Sequence, residues 1–142
     1  MSEYWFLFLL WYNLGIMTQI DLDLFGADPA IIQWTIVRGD TSPLRVYFYE
    51  ADGVTAIDTS TWEFAASAYD YKNDVTDELQ VVAHAGYVDV TALPDITQYW
   101  GTGYKTIVSQ LGFDLQVTIG DVVWTPVLGT IKVLADFTGG SL

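Results

Sequence analysis

The chain has 142 residues, 51% of them hydrophobic and 15% aromatic, enough to build one packed core and unlike the composition of a disordered tail. A net charge of −13 runs against nucleic-acid binding, which needs a basic footprint, and against docking on anionic lipid. With no cysteine there is no disulfide framework, no thiol chemistry and no thiolate zinc site. Such a surface suits partners that are basic, neutral or bridged by cations. The β-formers Val, Ile, Thr, Tyr, Phe and Trp dominate, while Lys and Arg number only 5, too few for the wet faces of long helices. The expectation is an all-β chain.

The first run, Tyr4 to Tyr12, is the most apolar in the sequence. Ser2 and Glu3 precede it and the first basic residue is Arg38, so the charged flank of a signal peptide is missing. Asn13 and Gly15 interrupt the run well before the ~18 apolar residues of a membrane span. Two readings remain for residues 1–16. Met17 opens a more ordinary start, which would make them an upstream extension of the reading frame. Alternatively they form an arm whose Trp5, Phe6, Phe8 and Trp11 bury themselves in a neighbouring subunit, since an exposed aromatic strip invites aggregation.

From residue 31 strands follow one another with turn residues between them. Ile32–Val37 reads as a strand ending at the Arg38-Gly39-Asp40 turn. Leu44–Tyr49 follows, with Leu44, Val46 and Phe48 on one face and Arg45, Tyr47 and Tyr49 on the other. Asp52-Gly53 is a turn signal. Trp62–Tyr69 alternates as a half-buried strand, Asp70–Glu78 reads as an exposed acidic loop, and 79–90 as a hairpin around His84-Ala85. Pro94–Gly103 has room for one helical turn. Gly112–Ile119, Val122–Trp124 and Val127–Ala135 complete the set, with Pro126 as a break. About seven or eight short strands point to an antiparallel Ig-like sandwich over 31–138, with a closed barrel as the alternative. Residues 1–30 form the extension and 139–142 a short tail.

Little in the sequence points to catalysis. His84 has no Ser or Asp motif beside it and reads as an ordinary turn histidine. Asp52, Asp58, Asp89, Asp114 and Asp121 are expected to face water, so no glycosidase-like pair stands out. The acidic loop Asp70, Asn73, Asp74, Asp77, Glu78 offers oxygen ligands but lacks the spacing and central glycine of a calcium loop. Arg38-Gly39-Asp40 spells an adhesion tripeptide in a place where Gly and Asp are natural turn residues. The aromatic loop Tyr99-Trp100-Gly101-Thr102-Gly103-Tyr104 could anchor a protein interface or stack on a sugar; Tyr99, Trp100 and Tyr104 are its contact residues. No catalytic, metal or cofactor residue is assigned.

Three stretches, in order across about residues 31–138, resemble the LtfC-like β-sandwich domains of tailed-phage virion proteins. Ile36–Thr41, the strand 44–49 and Asp52-Gly53 are similar to the family's opening arginine-glycine-aspartate, strand, aspartate-glycine pattern. Phe113-Asp114-Leu115-Gln116 is similar to its aromatic-Asp-Leu-Gln strand. Gly129–Val133 with Ala135-Asp136-Phe137-Thr138 is similar to its closing strand and terminal Asp-x-Thr. The usual glycine-tyrosine lead-in to the middle strand stands here as Gly112-Phe113, with Gly103-Tyr104 upstream as the other counterpart. The resemblance implies a non-enzymatic virion component of the tail or its tip. It further implies contacts with other virion proteins and with its own copies, with a glycan-binding or receptor-binding module or a head decoration protein as alternatives. It carries no catalytic residue across.

Overall fold

The computed structural model of the chain describes residues 5–11, 16–22, 29–50 and 53–138, with the backbone alone at 5–11, 16–22 and Glu50. The described residues form ten strands and one helical turn: β1 (Trp5–Trp11), β2 (Ile16–Leu22), β3 (Ala30–Val37), β4 (Ser42–Glu50), β5 (Glu63–Asp70), β6 (Val75–Glu78), β7 (Gln80–His84), β8 (Tyr87–Ala92), α1 (Pro94–Thr97), β9 (Ile107–Ile119) and β10 (Val122–Leu134). They assemble into two open five-stranded sheets, β2-β1-β4-β8-β7 and β3-β10-β9-β5-β6. The all-β expectation holds. The strand number exceeds the expected seven or eight, because β1, β2 and β6 arise where an extension and a loop were read.

Period-two alternation explains the packing. Ala30, Ile32, Trp34 and Ile36 of β3 turn inward, as do Leu44, Val46 and Phe48 of β4 and Leu115 and Val117 of β9. Trp34 meets Phe113 edge-on at 5.4 Å within its own sheet. Phe48 meets Trp62 at 5.2 Å across the gap between the sheets. The Trp34 indole N–H donates to Ser42 Oγ at 3.1 Å, so the one polar atom of the ring is satisfied inside the core.

Hairpins join β5 to β6, β7 to β8 and β9 to β10. The β9–β10 turn is two residues, Gly120-Asp121, with Gly120 at φ 58°, the hand that a tight hairpin turn requires. Between β6 and β7 the buried Leu79 carries the chain from one sheet to the other.

Three expectations are corrected. First, β3 and β10 pair in parallel, not antiparallel. No hairpin links them, because the corner after Val37 sends the chain into the opposite sheet, so their relative direction is unconstrained. Second, Asp70–Glu78 is not a plain loop. Its second half, Val75–Glu78, pairs with β5 as an edge strand whose exposed, charged residues suit an edge. Third, Pro126 does not end a strand: β10 runs through it, and the register with β9 shifts between Trp124 and Val127, where a residue lacking an N–H is tolerated.

The apolar extension is a hairpin in this fold. β1 pairs antiparallel with β4, Phe8 opposite Tyr47 and Leu10 opposite Arg45, and β2 pairs on its far side. The side chains of Trp5, Phe6, Phe8 and Trp11, and residues Asp52 and 139–142, lie outside the described residues. Among the described residues no helix is long and apolar enough to cross a membrane.

Candidate functional site

Backbone register brings together, on the outer face of the second sheet, side chains that are far apart in sequence. One row across the strands runs Glu78, Ser67, Asp114, Leu128, Ile31; the next runs Thr76, Tyr69, Gly112, Thr130, Gln33. Gly112 lacks a side chain at the centre of the second row, which leaves a depression. Tyr71, from the β5–β6 turn, leans over it: a Cβ added to Gly112 would lie 2.5 Å from the Tyr71 hydroxyl. Tyr69 supports Tyr71 edge-to-face at 4.9 Å. The result is a groove of about 530 Å³, the size of a small-ligand site, with tyrosines on one bank and Ile31 and Leu128 on the other.

Three lining residues are large and largely exposed: Tyr71 and Ile31 at 69% each and Leu128 at 43%. The floor carries Asp114, half-buried, with no hydrogen bond to its carboxylate among the described residues. Burial pushes the Asp114 carboxyl above its ordinary value of 3.8. No Lys or Arg lines the groove. Asp114 points to the outer face as expected but is half-buried there, between Ser67 and Leu128 in its row.

The residues singled out from sequence are placed elsewhere. Trp100 is buried at 4% exposure, and its indole N–H donates to Asp77 Oδ2 at 2.9 Å. Its ring is core, which corrects its assignment as a surface contact for sugar or protein. Tyr99 is exposed just beyond α1, and Tyr104 is exposed and stacks on Phe137 at 6.1 Å. The three aromatics do not form one platform.

Arg38, read from sequence as part of a turn, is 2% exposed. Its Nε donates to Asp136 Oδ1 at 2.6 Å, Nη2 to the Gly103 carbonyl at 3.0 Å and Nη1 to the Gly101 carbonyl at 3.4 Å. The Tyr104 ring lies 5.7 Å from the guanidinium carbon. Thr97 Oγ1 accepts from the Gly39 N–H and donates to the Asp40 carbonyl, fixing the rest of the corner. Arg38 is a buried clamp and offers no arginine to an outside receptor, while Asp40 is exposed.

His84 stacks on Tyr87 at 4.5 Å, and its Nε2 lies 3.3 Å from Asp89 Oδ2. Asp89 is itself gripped by Arg45 Nε at 2.6 Å and Nη2 at 3.0 Å, so its outward carboxylate is paired and only partly exposed. The acidic turn is internally bonded: Asp70 accepts from the Asn73 side-chain amide and from the Lys72 and Asn73 N–H groups, and Asp74 from the Tyr69 hydroxyl. The Asn73 amide, aided by these N–H groups, holds the Asp70 carboxyl below its ordinary value. Among the described residues no three His, Cys, Asp or Glu converge as a metal site.

No family model matches the chain, and no curated protein does. The groove was missed in the sequence because its parts come from five strands and a turn. The one hint was Gly112 interrupting an otherwise bulky β9.

Proposed function

We propose that this chain is a non-enzymatic structural subunit of a tailed-phage virion, an Ig-like sandwich of the tail or tail tip that works through its contact surfaces. One observation carries the reading. The opening and closing stretches on which the phage resemblance rests meet in space, joined by the part-buried Arg38–Asp136 pair. The parallel pairing of β3 with β10 brings the two stretches together, and such a contact is what two parts of one fold signature would make. An assembly role also suits a surface on which three of the twelve exposed large hydrophobic residues among those described, Ile31, Leu128 and Tyr71, gather at one groove.

The experiment is mass spectrometry of purified virions with peptide coverage of the amino terminus. Presence of the chain in fixed stoichiometry is the expected result, and a first peptide at Met17 or Thr18 would remove β1 from the native protein. Absence from particles overturns the proposal.

A second reading, a glycan-binding or receptor-binding module of the tail, draws on a different observation: the solvent-facing Tyr71 beside Asp114 combines a stacking face with a hydrogen-bond acceptor. Trp100 has no part in it.

A further inference from the structure

We propose that the groove over β9 and β10 holds a lysine-bearing or arginine-bearing extended segment of a neighbouring protein, with the basic head on Asp114 and its stem along Ile31 and Leu128. The site stands on geometry; that the neighbour is another virion protein rests on the function proposed above.

Charge complementarity selects the occupant. Asp114 sits in the floor without a hydrogen-bond donor among the described residues, and the lining contributes no positive charge. Anything that covers the groove removes the remaining water from this carboxylate, and a cover that brings no charge leaves it poorly compensated. A guanidinium or ammonium supplies strong charge-assisted hydrogen bonds in return. Glu78, adjacent to Ser67 in the same row, adds a second negative charge at the rim. The faces of Tyr69 and Tyr71 favour a cation above them. The field of a chain with net charge −13 draws such a segment in.

A second copy of this chain is poorly equipped to be the partner. Of its five basic residues Arg38 is buried and Arg45 is held by Asp89, which leaves Lys72, Lys105 and Lys132 on a strongly acidic body. A neutral glycan could donate hydroxyls to the Asp114 carboxylate but would leave its charge unneutralised in the covered groove.

The test is an amide chemical-shift titration of the full chain with an acetylated, amidated pentapeptide carrying lysine at its second and fourth positions between threonines. A control peptide has norleucine in place of lysine, and a neutral cello-oligosaccharide is titrated in parallel. The expected result is shifts at Ser67, Gly112, Asp114 and Thr130 with the lysine peptide, at least about tenfold weaker binding of the norleucine peptide, and loss of the response in Asp114→Asn. A thermal melt of the variant establishes that it is folded. No shift at these amides, equal binding of the two peptides, or unchanged binding by Asp114→Asn overturns the inference. Shifts produced by the oligosaccharide and not by the lysine peptide overturn it in favour of a glycan site. None of these outcomes bears on whether the chain is found in virions, which the mass-spectrometric experiment decides separately.

Discussion

Arg38 and Asp136 stand 98 positions apart in sequence and 2.6 Å apart in space. The pair ties the corner that leaves β3 to the segment that leaves β10, the two strands that run in parallel at the sheet edge. Arg38 also donates to the carbonyls of Gly101 and Gly103, so one side chain holds three segments together.

Removing it should be costly. Arg38→Ala withdraws the guanidinium from the Asp136 carboxylate and two carbonyls at a part-buried site, where the cost of a broken fully buried pair, about 3–5 kcal/mol, is an upper bound. That is a large part of the ~5–15 kcal/mol available to a domain. Urea unfolding of Arg38→Ala should show a markedly lower midpoint. Arg38→Lys should recover only part of the loss, because an ammonium cannot reproduce the forked contacts. A midpoint within experimental error of the parent would show that the clamp contributes nothing.

Trp100 makes the same point for the aromatic loop. Read as sequence, it belongs to an exposed glycine-flanked loop and its replacement should spare the fold. In the structure it is core, so Trp100→Ala should cost about 3–5 kcal/mol and leave Asp77 without its indole donor. Tyr99→Ala, one residue away and 71% exposed, should change stability by no more than about 0.5 kcal/mol. Thermal melts of the two variants distinguish these positions directly, and equal melts would contradict the burial of Trp100.

The contrast shows what the chain reveals before it folds. Alternation located the inward faces of β4 and β9 residue by residue, because Leu44, Val46, Phe48, Phe113, Leu115 and Val117 follow the strand period without interruption. Local turn chemistry located the hairpin at Gly120-Asp121 and placed the other at His84-Ala85, one residue before the observed turn Ala85-Gly86. Contacts between segments remote in sequence were not legible. Neither the Arg38 clamp nor the Trp100–Asp77 bond has a local signature, and the groove exists only once Ser67, Asp114 and Leu128 fall into one register. Val75–Glu78 was missed because its propensity is that of a loop and its strand form comes from pairing with β5.

Two glycines with crowded neighbours should respond differently to alanine. At Gly129 a Cβ would collide with the backbone carbonyl of Ile32 on β3. Backbone cannot swing aside, so Gly129→Ala should disturb the parallel β3–β10 pairing and cost about 1–3 kcal/mol or more. At Gly112 the obstacle is the free end of the Tyr71 side chain, which can rotate into solvent. Gly112→Ala should therefore be mild in stability yet fill the groove and displace Tyr71. Denaturant midpoints together with the Tyr71 ring resonances check both halves.

Asp114 supplies the last prediction, and its sign is opposite to that of most acidic residues. Its neighbours across the sheet are Ser67 and Leu128, with Glu78, Tyr69 and Tyr71 the titratable groups around it, and burial raises its carboxyl above the ordinary 3.8. In the unfolded chain it titrates at that ordinary value. Above both values the fold carries a charge that water would hold better, so ionised Asp114 lowers stability. As pH falls through the folded value the fold takes up the proton first, and the penalty fades until it is gone below the unfolded value. Asp114→Asn should accordingly be as stable as the parent or slightly more stable at neutral pH, by a few degrees at most. The difference should vanish as acid protonates the parent. A variant that melts lower than the parent at neutral pH would mean that the carboxylate is satisfied within the fold, and the groove would then have no uncompensated charge to offer a basic partner.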